Sequence, residues 1–202
     1  MKLDYPATRR NQDAIFEVLS KIVNAESAIL EIASGSGQHA AFLAPKLGVK
    51  TWQPTDIGAQ EIASIDAWQV ASEAHNVAAA KPLDVLAKPW AIAGPFDSIY
   101  AANLIHISPW PVTEALFAGG RECLSDAGQV ILYGPFIEHD QATVESNLRF
   151  DASLRERNSE WGIRHLEDVA VTAAGHDFAL MQRHAMPANN LLVVFARRED
   201  SA

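Results

Sequence analysis

Ala28-Ile29-Leu30-Glu31-Ile32-Ala33-Ser34-Gly35-Ser36-Gly37-Gln38-His39 is the stretch from which the architecture of the chain follows. It opens with an apolar run short enough for a buried strand and stops at an acid, Glu31. A glycine-rich turn comes next, then Ala40, Leu43, Ala44 and Leu47 at helical spacing. Strand, glycine turn and helix in that order bring a nucleotide-like ligand to the carboxyl end of a parallel sheet. Gly35 and Gly37 let the backbone approach a ligand where a Cβ would collide. Two glycines alone fit an ordinary tight turn equally well, so the reading rests on the residues around them.

Length and composition narrow the field. A chain of 202 residues with 49% hydrophobic and 20% charged residues suits one globular domain over 1–202. The single Cys123 excludes an internal disulfide framework and any Cys-rich zinc site, and no metal site is expected. A formal net charge of −9 argues against nucleic acid as a partner. The start carries no signal-peptide stretch and no apolar run approaches a membrane span, so a soluble, cytoplasmic protein is expected.

Before the glycine turn, residues 1–10 are polar, carry Pro6 and read as an arm. Ile15, Val18, Leu19, Ile22 and Val23 then recur at the spacing of an amphipathic helix, with Thr8 or Asn11 as its cap. Arg9, Arg10 and Asn11 place positive charge at a helix start, against the dipole. A solvated arm explains that; so does a role in holding a carboxylate or closing over a ligand.

Past the turn, Val49–Asp56 reads as a second strand. Asp56 follows Gly37 by 19 residues, the spacing at which a strand-end acid accepts from ribose hydroxyls. The same residue can form a turn or cap a helix, and a helix is expected over Gly58–Val70 with Ile62 and Ile65 inward. Pro82–Leu86 is a third apolar segment, broken by Asp84. Alone, Asp84 is a turn residue. As the third strand-end acid it would sit beside a base, with Val85 or Leu86 against the ring.

Phe96–Asn103 is the fourth strand, introduced by Gly94-Pro95. Asn103 and His106 emerge where such a sheet places its ligand. His106, with an ordinary pKa near 6.5, is the best general-base candidate, and equally a satisfied histidine supporting its neighbours. Trp110 either walls a pocket or covers the sheet edge. A helix follows to Leu124, burying Leu116 and Phe117, with Cys123 as a core thiol. Asp126-Ala127-Gly128 reads as a turn and Gln129–Tyr133 as a fifth strand.

Residues 137–161 are polar and without strand period. They read as an insertion covering the active site through Ser146-Asn147 and Phe150-Asp151, a plain surface helix being the alternative. Leu166, Val169, Ala170 and Ala173 mark a helix stopped by Gly175. Phe178–His184 and Leu191–Arg197 are joined closely enough for a hairpin. The whole predicts an α/β three-layer sandwich: a seven-stranded, mostly parallel sheet with a C-terminal antiparallel hairpin.

This series resembles the class I S-adenosylmethionine (SAM) methyltransferase fold. Its acid-x-Gly-x-Gly-x-Gly motif appears as Glu31-Ile32-Ala33-Ser34-Gly35-Ser36-Gly37, with alanine at the first glycine position. Glu31–Ala40, Trp52–Asp56, Asn103–Trp110, Tyr133–Phe136, Met186–Asn190 and Arg10-Asn11 are similar to the methyltransferase-like 26 family, from about Pro6 to Phe195. The resemblance implies SAM as cofactor. Glu31, Ala33, Ser34, Gly35 and Gly37 would hold its methionine part and Asp56 with Ile57 its ribose. Asp84 and Val85 would meet the adenine, with Asn103 also against the cofactor. Arg10, Asn11, Trp110, Tyr133 and Asn147 would line the pocket of an acceptor, His106 being the base if one is needed. Leu104-Ile105-His106 stands where enzymes acting on base amines tend to carry a Pro-Pro-aromatic run, so a base amine is not supported as acceptor; a small molecule is expected, with a protein side chain as the alternative. Two rivals remain at this point. Gly35-Ser36-Gly37-Gln38-His39-Ala40 formally satisfies an NAD fingerprint, and a non-catalytic SAM-binding protein would carry the same residues.

Overall fold

A computed structural model describes residues 1–198. The apolar runs become β1 (Ala28–Glu31), β2 (Thr51–Asp56), β3 (Lys81–Pro82), β4 (Phe96–Ala102), β5 (Leu124–Gly134), β6 (Phe136–Ile137), β7 (Arg164–His165), β8 (Phe178–Met186) and β9 (Asn190–Arg197). A 7-stranded sheet runs in the order β3-β2-β1-β4-β5-β9-β8. Strands β1 to β5 are parallel, and β9 is antiparallel to both β5 and β8. This is the mostly parallel sheet with a terminal hairpin that the sequence predicts. Strands β6 and β7 form a separate parallel pair.

Side-chain alternation along the strands makes the three layers. Leu30, Ile99, Val130, Leu132 and Val193 pack on one face with Leu116, Phe117 and Val169. The last three belong to α4 (Pro111–Cys123) and α6 (Leu166–Ala174). Ile29, Tyr100, Ile131, Leu192 and Val194 pack on the other face with Ile15, Leu19 and Leu43. These come from α1 (Pro6–Leu19) and α2 (Gln38–Leu47), which adjoin α3 (Ala59–Ala71). Among the described residues, no helix is long and apolar enough to cross a membrane.

Several boundaries depart from expectation. Helix α1 starts at Pro6, so the arm shrinks to residues 1–5, and Tyr5 rather than Thr8 or Asn11 is the N-cap. Proline suits the first helical position because its missing N–H would have no partner there. The helix also ends at Leu19; Val23 stays buried from the turn beyond, where its N–H bonds Leu19 O. The third strand is only Lys81–Pro82. Asp126–Gly128 lies within β5 as a bulge: pairing jumps from Phe96↔Leu124 to Ser98↔Gln129. The polar segment after β6 folds into α5 (Glu145–Arg157).

Candidate active site

The glycine turn is tightly specified. Ala33, Gly35 and Gly37 have φ of 55°, 57° and 89°. Ala33 thus holds the left-handed conformation a glycine would take, at a cost of about 1–2 kcal/mol. Gly37 is obligatory, because a Cβ there would lie 2.5 Å from Ile65 Cα of α3. The turn is tied to β2 by Ser34 N–H donating to Thr55 O (2.9 Å) and Thr55 Oγ1 donating to Glu31 O (2.7 Å). Asp56 Oδ2 accepts the Gly35 N–H (2.9 Å) and Oδ1 the Gly58 N–H (3.1 Å).

The N-terminal arm crosses this turn. Leu3 N–H donates to Ser64 Oγ, Asp4 accepts from Gln38 Nε2, and Tyr5 N–H donates to Gln38 Oε1. A Cβ on Gly35 would lie 3.2 Å from the Tyr5 ring. Burial, with Glu61 and Asp56 nearby, raises the Tyr5 hydroxyl pKa.

A buried polar seam runs from the turn along the α1–α2 face of the sheet. Glu31 is 2% exposed and accepts from Trp52 Nε1 (2.9 Å). Burial pushes its pKa up to about 7 against those hydrogen bonds. Tyr100, fully buried, has an unpartnered hydroxyl whose pKa is raised by burial and by Glu31 and Tyr133. His39 lies edge-on to Tyr100 (6.0 Å) and donates Nε2–H to Asn11 Oδ1 (2.8 Å) as a neutral ring. Burial holds its pKa down to about 4. Asn11 in turn hydrogen-bonds Tyr133, whose hydroxyl pKa burial raises.

The seam ends at a cavity of about 680 Å³ over the carboxyl ends of β4 and β5. Five residues expected at a site line it together: Arg10, Asn11, Asn103, Tyr133 and Asn147. Phe150 joins them from α5, and the Pro187–Asn190 connection forms the far wall. Asn147 Nδ2 donates to Asn189 O (3.1 Å), latching α5 to that wall. Ala188 and Asn189 both have φ of 56°, a strained pair. The wall residues escape sequence reasoning as a site because β8 and β9 read only as a hairpin; Asn189-Asn190 beside Pro187 is the signal that could have found them.

The remaining expected residues separate. Glu31, Ala33, Ser34, Gly35, Gly37 and Asp56 cluster at the turn. Asp84 belongs to the same sheet edge, since strand order sets β3 beside β2 and Leu83 N–H donates to Asp56 O. It is exposed, and its Oδ1 accepts the Leu86 N–H. Val85 corrects the expected apolar face, because it turns into the core at 7% exposure; Ile57 and Leu86 are the exposed apolar side chains here. Trp110 is a second correction. It lies against the Arg164 guanidinium (5.6 Å) on the α4–α6 side and flanks a different depression with Asp168 and Val171. The 3₁₀ turn Leu104–His106 carries the chain away from the cavity before Trp110 is reached.

His106 is the third correction. It is 1% exposed, is absent from the cavity lining, and accepts the Arg164 N–H at Nδ1 (3.3 Å). Burial, with Arg164 nearby, lowers its pKa to about 3, so the ring is a poor proton acceptor at neutral pH. With Nδ1 accepting, the proton is on Nε2, which has no partner. A Cβ on Gly134 would lie 2.7 Å from that nitrogen and 3.1 Å from Asn103 Oδ1. His106 therefore packs against Gly134 at the end of β5, and its backbone N–H donates to Asn103 O (3.1 Å).

Solved structures share this architecture. The chain matches an O-methyltransferase family protein from Burkholderia thailandensis with a TM-score of 0.77 at 12% identity, covering 94% of this chain and 57% of that one. The pyocyanin biosynthetic protein PhzM gives 0.74 at 15% identity, covering 90% and 54%. The YcgJ protein from Bacillus subtilis gives 0.70 at 14% identity, covering 93% and 99%. The chain thus spans a little over half the length of the first two, and the likeness is one of fold. A family model matches residues 2–197, and the chain belongs to that family, described as protein of unknown function (DUF938).

Proposed function

We propose that this chain is a SAM-dependent methyltransferase, as its resemblance to the methyltransferase-like 26 family implies, and that its acceptor is a small molecule held in the 680 Å³ cavity. The observation that carries the reading is Glu31. It is a buried carboxylate at the glycine turn, without an ion-pair partner among the described residues, whose pKa stands at about 7. A cationic ligand would restore its ionised form, and SAM carries both an ammonium and a sulfonium.

When bound, SAM supplies an electrophilic methyl group whose sulfonium leaves as the neutral thioether S-adenosylhomocysteine. The protein's contribution is then alignment of the acceptor's lone pair with that methyl group. Asp56 uses one lone pair of each oxygen on backbone N–H groups, leaving the others for ribose hydroxyls. Ile57 and Leu86 offer apolar surface to the adenine, beside Asp84. Arg10 is the charged residue lining the cavity, which favours an acceptor with an anionic group. His106 keeps Asn103 in position and takes no proton. The net charge of −9 disfavours nucleic acid as the acceptor.

Thermal unfolding with S-adenosylhomocysteine and with NADH tests the cofactor. A midpoint raised by the first and not the second is expected, because a ligand selective for the native state stabilises it. A shift with NADH alone would overturn the reading. Asp56→Ala should abolish the S-adenosylhomocysteine shift while the circular dichroism stays native. Binding without methyl transfer to any anionic small acceptor would instead indicate a non-catalytic SAM-binding protein.

A further inference from the structure

Outside the cavity, three side chains converge at the foot of the insertion. His139 follows β6, His165 ends β7, and Glu167 lies in the first turn of α6. Their ligand-capable atoms all lie within 4.8 Å of one another. His139 Nε2 is 3.8 Å from Glu167 Oε2, and the two imidazole rings are 5.0 Å apart. Glu167 Oε1 is occupied by the His139 N–H (3.0 Å), which turns the other oxygen inward. Two of the atoms in this cluster, His165 Nδ1 and Glu167 Oε2, are buried and have no hydrogen-bond partner.

An isolated His–Glu ion pair does not account for that arrangement. It would engage His139 Nε2 alone and leave the His165 nitrogen buried without a partner. We infer that His139, His165 and Glu167 bind one divalent transition-metal ion of the zinc class, which clips the two ends of the α5 insertion together. Two imidazoles and a carboxylate, with no thiolate, are the donors of borderline ions and not of calcium or magnesium. Around zinc such donors sit at about 2.0–2.2 Å, so neighbouring donors lie about 3.4 Å apart. The His139–Glu167 separation of 3.8 Å needs to shorten by a few tenths of an ångström and separations of up to 4.8 Å by about an ångström more, and His139, with a side chain 56% exposed, can move. None of the three lines the cavity, so the ion's role is structural: it fixes the base of the segment that delivers Asn147 and Phe150.

The test uses the full chain stripped with a chelator and titrated with zinc by calorimetry, then with cobalt(II) followed by visible absorption. One equivalent should bind, and zinc should slow amide exchange across 138–163. His139→Ala and Glu167→Gln should each weaken zinc binding at least tenfold with native circular dichroism; His139 is exposed enough that its loss leaves the fold intact. Absence of a one-to-one site in the wild-type chain would overturn the inference. So would equal zinc affinity in the two variants, which would assign the binding to the other histidines.

Discussion

At the level of single residues, Glu31 links stability to the proposed chemistry. Its carboxyl titrates at about 7 in the fold against 4.5 as its ordinary value, with burial the main cause. Between those values the folded chain holds a proton that the unfolded chain has released, so stability falls as pH rises through this window. The loss is complete above about pH 7 and amounts to on the order of 3 kcal/mol. Glu31→Gln keeps an acceptor for Trp52 Nε1 and removes the charge. Urea unfolding should find this variant more stable than wild type at pH 8 by up to that amount, and no different below pH 4.5. Calorimetry should find its affinity for SAM reduced at pH 8, because the carboxylate that favours a cation is gone. A variant no more stable at pH 8 than at pH 4.5 relative to wild type would remove the electrostatic role of Glu31.

Among the elements, the glycine turn is where sequence and packing agree most closely. Gly37 serves two demands at once: φ of 89° at the start of α2, and room for Ile65 Cα of α3. Gly37→Ala should cost roughly 3 kcal/mol, from overpacking together with left-handed strain, measured as a lowered denaturation midpoint. A loss below about 1 kcal/mol would mean that α3 shifts freely. The strands were legible as short, near-continuous apolar runs, the pattern of a parallel sheet covered on both faces. The start of α1 was not, because the helical period extends no further back than Ile15, whereas Pro6 needs only its own fixed φ to begin a helix. Glu31 and Asp56 could be placed from spacing alone, since adjacent strand ends set their separation. Trp110 could not, because a three-residue 3₁₀ turn, Leu104–His106, decides which side of the sheet the chain takes afterwards. Nor could His139, His165 and Glu167 be seen as a group: pairing of the two-residue strands β6 and β7 brings them together.

For the whole molecule, the buried titratable groups oppose one another, and their balance fixes where the fold is most stable. His39 and His106 titrate at about 4 and about 3, lowered from 6.5 mainly by burial. In their case the unfolded chain binds the protons first, so stability present above pH 6.5 is lost as pH falls through the folded values. Between pH 4.5 and 6.5 the two histidines together raise stability with pH, and Glu31 alone lowers it. With each group contributing about 1.4 kcal/mol per pH unit, the net slope is about +1.4 kcal/mol per unit. It reverses above pH 6.5, where of these three groups Glu31 is the one still to lose its proton in the fold. Equilibrium urea unfolding from pH 4.5 to 8 should therefore peak near pH 6.5. His39→Gln leaves an amide to donate to Asn11 Oδ1 and removes one of the two acid-sensitive rings, so its slope below pH 6.5 should fall close to zero. A wild-type slope kept by that variant would mean His39 is hydrated in the native state, and the seam joining the glycine turn to the cavity would then be open to water.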